Sequence, residues 1–265
     1  MIKNIEQLYH FLGGYRQVNY LMHQIEQCYY YQKKEKKKFG EFQRLKGEIQ
    51  YRDLFIPEKI LKIMQQKISE ELSGIKLPDY MYGSIKGTNN IDHAYHHRNK
   101  KYYLKIDLKK FFPNIKHDQV FRTLVKIGYS WEVARIITRL TTCNGSLPQG
   151  APSSPIISNL VFMETGNKLY DLAISHNIEF TTFLDDLVFS SNKDFRSLTT
   201  GFLDIIRSDY FAPSNKKITY RLNSCEITGV IVNGNTLDVI REMKEKAKNN
   251  KNLDAYVKHV FRYNK

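Results

Sequence analysis

The chain has 265 residues, 42% hydrophobic and 13% aromatic, enough to bury a real core in one large or two intimately packed small subdomains and too apolar for a disordered tail. Its 41 Lys and Arg outnumber its 27 Asp and Glu, for a net charge of +14, which suits nucleic acid or another polyanionic partner. No run of 18 apolar residues, no signal-peptide core at Met1 to Glu6 and three scattered cysteines, Cys28, Cys143 and Cys225, together predict a cytoplasmic protein with no membrane partner, disulfide framework or structural zinc site.

In chain order, Ile5, Leu8, Tyr9 and Leu12 recur at helical spacing, and residues 1–32 read as a helical extension broken at Gly13-Gly14 that ends in a tyrosine patch, Tyr29 to Tyr31. Lys33, Lys34, Lys36, Lys37 and Lys38 then surround Glu35 in the densest positive run of the chain. A block of like charge is ordinarily a solvated loop, and it becomes a binding surface only if other residues ask for one. Phe39 to Ile56 predicts a basic hairpin ending at Pro57 and carrying Arg44, Lys46 and Arg52. Glu58 to Leu72 is an amphipathic helix, with Ile60, Leu61, Met64, Ile68 and Leu72 as its core stripe.

Three histidines, His93, His96 and His97, fall in a polar loop and short helix, where His93 and His97 share a face. No further ligand accompanies them, so phosphate or backbone contacts are preferred over zinc. Tyr102 to Asp107 reads as a strand with the acid at its end, followed at once by Phe111 and Phe112. An aromatic pair is ordinarily core, but the ring five residues beyond an acid could wall a pocket floored by that carboxylate. Asp118 to Ile127, apolar at Val120, Phe121, Leu124 and Val125, and Trp131 to Leu140 are structural helices.

Leu147 to Pro155 holds three prolines and one glycine in nine residues. Fixed φ angles stiffen such a loop, and Gly150 lets its backbone approach a neighbour closely. A helix follows, with Ser154 as its cap, Pro155 at its first position and Ile156, Leu160, Met163 and Leu169 on its buried side. Ile178 to Ser191 predicts a hairpin whose two β-prone arms flank Asp185-Asp186. Phe195 to Ser208 is helical, Asn215-Lys216-Lys217 is a polar turn before the strand Ile218 to Leu222, and Ile227 to Val232 and Thr236 to Val239 bracket the turn Asn233-Gly234-Asn235. Two basic helices, Ile240 to Asn250 and Leu253 to Tyr263, follow.

An isolated Asp-Asp pair is most often a solvated turn. Asp107 and Asp185 lie 78 positions apart, yet they converge if their strands are neighbours in one antiparallel sheet. Three carboxylates at one point require cations, and two Mg²⁺ ions are the apparatus of in-line phosphoryl transfer.

At this point the residues resemble retron-type bacterial reverse transcriptases. Lys105 to Ile115 looks like that family's motif A, Leu147 to Pro155 its motif B, and Phe183-Leu184-Asp185-Asp186 stands where Tyr-Ala-Asp-Asp is usual. Lys216-Lys217 resembles motif D, Ile227-Thr228-Gly229 the Val-Thr-Gly signature, and Arg52 to Pro57 the fingers segment. Of the signature Asn-Ala-x-x-His, the stretch His93-Ala94-Tyr95-His96-His97 keeps Ala94 and His97 and has His93 in place of the Asn.

The resemblance implies an α+β right-hand polymerase: an N-terminal extension at 1–32, fingers at 33–101 with a helical insertion at 121–146, a palm of antiparallel strands backed by helices at 102–232, and a reduced helical thumb at 233–265. It assigns metal binding to Asp107, Asp185, Asp186 and the Leu108 carbonyl, with two Mg²⁺ ions and Mn²⁺ as the alternative. Arg52, Phe112, Gln149, Gly150, Lys216 and Lys217 would serve the nucleotide, with Phe112 excluding a 2′-hydroxyl. Lys33, Lys34, Lys36, Lys37, Lys38, Arg44, Lys46, His97, Thr228 and Gly229 would contact nucleic acid. The implied activity is Mg²⁺-dependent copying of a structured non-coding RNA template and primer into DNA, in anti-phage defence with an effector protein. Oligomeric assembly is left open, as is whether a partner completes the thumb. The competing expectations are a template-independent or protein-primed DNA polymerase of bacterial immunity, and a non-catalytic RNA-binding subunit restraining a toxic effector.

Overall fold

The computed structural model describes residues 2–38, 41–45 and 47–264. Helices and antiparallel sheets together make an α+β chain in two compact units: Met1–Lys76 with Phe112–Val161, and Leu77–Phe111 with Phe162–Lys265. Among the described residues no helix is long and apolar enough to cross a membrane.

In the first unit, the helices Ile5–Leu12 and Tyr15–His23 meet at Gly13, whose φ of 108° is open to glycine at little cost. Helical structure gives way earlier than the spacing predicts. Tyr29–Glu35 is a strand, paired with Tyr51–Pro57 from Tyr29↔Pro57 to Glu35↔Tyr51. Its tyrosines suit a pleated ribbon, and Tyr29 folds inward while Tyr30 and Tyr31 stay exposed. The basic hairpin therefore begins ten residues before Phe39. Lys33 and Lys34 are exposed in an ordered ladder, not in a loop, opposite Asp53 and Arg52. Short ladders join Lys37–Lys38 to Glu41–Phe42 and Arg44–Leu45 to Glu48–Ile49. Lys46 lies outside the described residues, as do the side chains of Lys37 and Lys38.

The helix Lys59–Ser73 buries Leu61, Met64, Gln65, Ile68 and Leu72. Ile60, expected in that stripe, is 48% exposed, because the buried face follows 61, 64, 65, 68 and 72. Gln65 ties this helix to the rest of the unit, its Nε2 donating to Tyr29 OH at 2.6 Å and to Leu140 O at 2.8 Å. The helices His117–Ile127 and Trp131–Thr141 follow, with Val125 at 40% exposure on the outer side of the first and not in its core.

In the second unit, one sheet runs in the order Thr219–Leu222, Tyr102–Asp107, Asp186–Ser191, Glu179–Phe183, with every pair antiparallel. One face is core: Phe180 stacks on Phe189 at 4.6 Å, and Phe189 on Phe202 of the helix Thr199–Ser208 at 4.1 Å. From the helix Ser154–Ile174, Phe162 adds an aromatic contact, its ring 5.9 Å from Phe111 and 5.1 Å from Phe211. Ser154 does not cap it; its hydroxyl donates back to Pro148 O at 2.6 Å and closes the proline-rich loop on itself.

A second sheet orders Ser224–Ile227, Val230–Asn233 and Thr236–Val239. The expected single strand from Ile227 to Val232 is instead two strands, since Ile227 pairs with Val230 and the chain reverses at Thr228-Gly229, φ 45° and 88°. Positive φ at both central residues is the mark of a type I′ hairpin turn. Asn233 pairs with Thr236 across the expected turn, and the helices Arg241–Ala247 and Lys251–Arg262 end the chain.

Candidate active site

The sheet brings together the three acids that the sequence singled out. Asp107 is the direct cross-strand partner of Asp186, and Phe183↔Asp186 closes the neighbouring hairpin, leaving Leu184 and Asp185 as its two-residue tip. Leu184 turns the corner at φ 56°, a conformation costing roughly 1–2 kcal/mol for a residue with a Cβ. The tip is held by Leu108 N, which donates to Asp185 O at 2.9 Å, while Asp107 O accepts from Ser214 N at 2.7 Å.

Cations reach this end of the sheet from two sides. Lys217, in the short turn Asn215–Lys217, donates from Nζ to Asp107 Oδ1 at 2.6 Å; its side chain is 64% exposed against 16% for Asp107. Lys105 shares a face with Asp107, and its Nζ donates to Glu226 O. Two lysines do not neutralise three acids. Burial, then the charges of Asp186 and Asp107, pushes the Asp185 carboxyl up to about 6. Burial also raises Asp186, with Lys105 opposing.

Hard carboxylate oxygens gathered at one point, two of them on half-buried groups that resist ionisation, are the donor chemistry of a divalent cation. Among the described residues no group of three or more His, Cys, Asp or Glu stands ready to hold a metal ion, and the Asp107 oxygen that a cation would need is taken by Lys217.

The raised Asp185 carboxyl has a consequence for stability in the absence of metal. Between about pH 4, where the unfolded carboxyl titrates, and about 6, where the folded one does, the folded state holds more protons, so stability falls as pH rises and the full cost remains above 6. Asp185→Asn removes that cost. In chelator, the variant is expected to exceed the wild type by about 3 kcal/mol at pH 8 and to match it below pH 4, measured by urea unfolding at both values.

In the first unit the proline-rich loop lies on the strand Tyr51–Pro57, where Phe55 N donates to Gln149 O at 2.9 Å. Gly150 has φ 116°, and a Cβ there would stand 3.4 Å from Phe55 O. The backbone bond and this contact join Gln149 and Gly150 to the strand carrying exposed Arg52. Phe111 and Phe112 diverge: Phe111 is core, 5.9 Å from both Phe162 and Phe211, whereas Phe112 is half-buried.

His97 faces the interior and not solvent. It is 0% exposed, with Nδ1 2.6 Å from Ser190 Oγ and Nε2 2.6 Å from Thr181 Oγ1. The short helix Asn90–His96 lies against the sheet, not in solvent, which is why the histidine that follows it is buried. Thr228 turns its hydroxyl inward to donate to Asn90 O at 3.2 Å, and Gly229 is half-exposed.

Sequence reasoning missed Gly83, which is buried directly behind the hairpin tip. A lone glycine in a polar loop carries no signal of such contact.

The chain matches the family described as Reverse transcriptase (RNA-dependent DNA polymerase) over residues 31–232. It is similar to the Retron Se72 reverse transcriptase of Salmonella heidelberg, 33% identical over 150 residues that make up 55% of this chain and 39% of that one. It is also similar to two Escherichia coli proteins, the Retron Ec83 reverse transcriptase (30% identity; 75% of this chain, 70% of that one) and the Retron Ec86 reverse transcriptase (26% identity; 81% and 67%). The chain thus spans between 39% and 70% of the length of these relatives. Among solved structures, apo telomerase from Candida tropicalis matches with a TM-score of 0.52 at 11% identity, over 69% of this chain and 51% of that one, a likeness of fold.

Proposed function

Because the chain belongs to the reverse transcriptase family, and within it to the retron type, we propose that it is an RNA-directed DNA polymerase that copies a dedicated, structured non-coding RNA into DNA in anti-phage defence, together with an effector protein. The observation that carries the reading is the cross-strand pair Asp107–Asp186 with Asp185 at the adjoining tip.

Asp107, Asp185, Asp186 and the Leu108 carbonyl would hold two Mg²⁺ ions, or Mn²⁺ in their place. When bound, the ions lower the pKa of the attacking 3′-hydroxyl and neutralise the leaving pyrophosphate. Lys217 reaches Asp107 on a long exposed stem; released from that carboxylate, it is free to protonate or neutralise pyrophosphate, with Lys216 beside it. In the first unit, Arg52 binds nucleotide phosphates, Gln149 and Gly150 lie over the nucleotide, and Lys33, Lys34, Lys36, Lys37, Lys38, Arg44 and Lys46 supply the salt-sensitive grip on the RNA backbone. Thr228 and Gly229 present a turn to the same RNA. The division into fingers at 33–101, palm at 102–232 and reduced thumb at 233–265 belongs to this proposal.

The test is polymerisation by the purified protein with its co-purifying RNA, dNTPs and Mg²⁺, followed by sequencing of the product. A copy of the RNA supports the reading. Homopolymeric or random DNA replaces it with template-independent synthesis, and RNA binding without any product replaces it with a non-catalytic subunit.

Phe112 is proposed as the ring that excludes a 2′-hydroxyl. Phe112→Ala is expected to cut discrimination between dNTP and rNTP by about 10- to 100-fold, since a steric clash is the whole of that selectivity. Competing single-nucleotide insertion of dCTP and CTP measures it.

A further inference from the structure

The segment Tyr80 to Gly83 runs along the outer strand of the catalytic sheet. Tyr80 O accepts from Thr182 N and Tyr82 N donates to Thr182 O, both at 2.8 Å, which makes Met81 a parallel partner of Thr182. The next residue but one, Gly83, then passes directly behind the tip. A Cβ on Gly83 would stand 2.5 Å from Leu184 N, 2.8 Å from Leu184 Cγ and 2.9 Å from Phe183 C. Two of those three atoms are backbone and cannot rotate away.

The far end of the segment is bolted down just as closely. The Tyr80 hydroxyl donates to Asn167 Oδ1 at 2.7 Å and Met163 O at 3.2 Å, and its ring packs 5.3 Å from both Tyr170 and Phe180. There too a glycine makes the room: a Cβ on Gly166 would lie 2.6 Å from Tyr80 OH. Between these ends Tyr82 packs 5.5 Å from His93, which in turn lies 5.7 Å from Phe183. The tip therefore has a wall behind it, anchored to a long helix, with no atom to spare at Gly83.

We propose that Tyr80 to Gly83 is a brace that sets the position of the Leu184-Asp185 tip, and that Gly83 is a positioning residue for the polymerase reaction. The proposal rests on the reading of that tip as catalytic. Leu184 already sits at positive φ, so a push from behind is passed along the backbone to Asp185 and Asp186. A displacement near 1 Å at reacting groups can cost on the order of 100-fold in rate.

The experiment is steady-state dNTP incorporation by full-length Gly83→Ala beside wild type, with RNA affinity and the thermal midpoint measured on the same preparations. The expected result is a kcat about 100-fold lower, dNTP KM and RNA Kd within twofold, a midpoint within a few degrees, and partial recovery of kcat when Leu184→Gly is added to free the tip. A folded Gly83→Ala protein with kcat within twofold of wild type overturns the proposal, as does one whose KM and RNA Kd rise in step with the lost rate. Should Gly83→Ala fail to fold, Tyr80→Phe, which loosens the brace without adding bulk, is expected to lower kcat about 5- to 10-fold; an unchanged kcat there overturns it. Asp185→Asn separates the two readings. If that variant is as active as wild type, the tip is not catalytic; if it is inactive while Gly83→Ala is fully active, the brace alone fails.

Discussion

Replacing Asp185 and Asp186 together by Asn is expected to lower RNA-templated dNMP incorporation by at least about 1000-fold, or about 4 kcal/mol of transition-state stabilisation, without loss of fold. The amides keep the shape of the tip and its hairpin pairing, Phe183↔Asp186 and Asp107↔Asp186, because that pairing is made by backbone. They remove two of the three anionic oxygen donors, leaving Asp107 with Lys217 on its Oδ1. Electrostatic stabilisation by one well-placed group is commonly worth about 100- to 1000-fold, so the pair sits at the upper end. RNA affinity is expected to stay within about twofold, since phosphate neutralisation comes from lysine and arginine elsewhere. Primer extension under single-turnover conditions, with filter binding on the same samples, checks both. Residual incorporation above one tenth of the wild-type rate sinks the assignment.

That the three acids could be read in advance follows from their neighbours. Phe180 to Phe183 and Leu187 to Phe189 are β-formers on both sides of a charged pair, and Tyr102 to Asp107 is β-forming text ending in an acid. Local propensity was enough to place each carboxylate at a strand end, and the cost of bringing like charges together supplied the argument for a cation. Elements whose cause lies far off in the chain were not legible. The partner of Tyr51–Pro57 is Tyr29–Glu35, across an intervening stretch with short ladders of its own, whereas the local pattern of residues places the start of the hairpin at Phe39. Thr228-Gly229 reverses the chain although only one of its two residues is a glycine. Gly83 owes its identity to Leu184, 101 positions later. Three histidines in five residues resembled an exposed polar cluster, and burial of His97 becomes visible only once the hydroxyls of Thr181 and Ser190 are seen beneath it.

For that histidine, His97→Leu is expected to cost about 2–4 kcal/mol of stability and to leave the grip on RNA unchanged. Leucine fills much of the volume, so the loss is one of polar pairing. The hydroxyls of Thr181 and Ser190, both 0% exposed on adjacent strands, lose their imidazole partner, and a buried group left unpaired costs roughly 1–3 kcal/mol. In a chain of this size that corresponds to a fall of about 5–15 °C in the thermal midpoint. Burial, then the neighbouring His93, His96 and Lys100, holds the His97 pKa well below its ordinary value, so the ring stays neutral and one nitrogen donates while the other accepts. The unfolded chain takes up a proton at this histidine below about pH 6.5 and the folded one does not, so wild-type stability from His97 is present above that pH and drains away as the pH falls. His97→Leu lacks this loss, and its deficit against wild type should therefore shrink between pH 7 and pH 5. Urea unfolding across that range, with RNA affinity measured against salt concentration, tests the argument. A phosphate contact would instead give a wild-type midpoint and a salt slope smaller by about one, and that pair of results would return His97 to the surface.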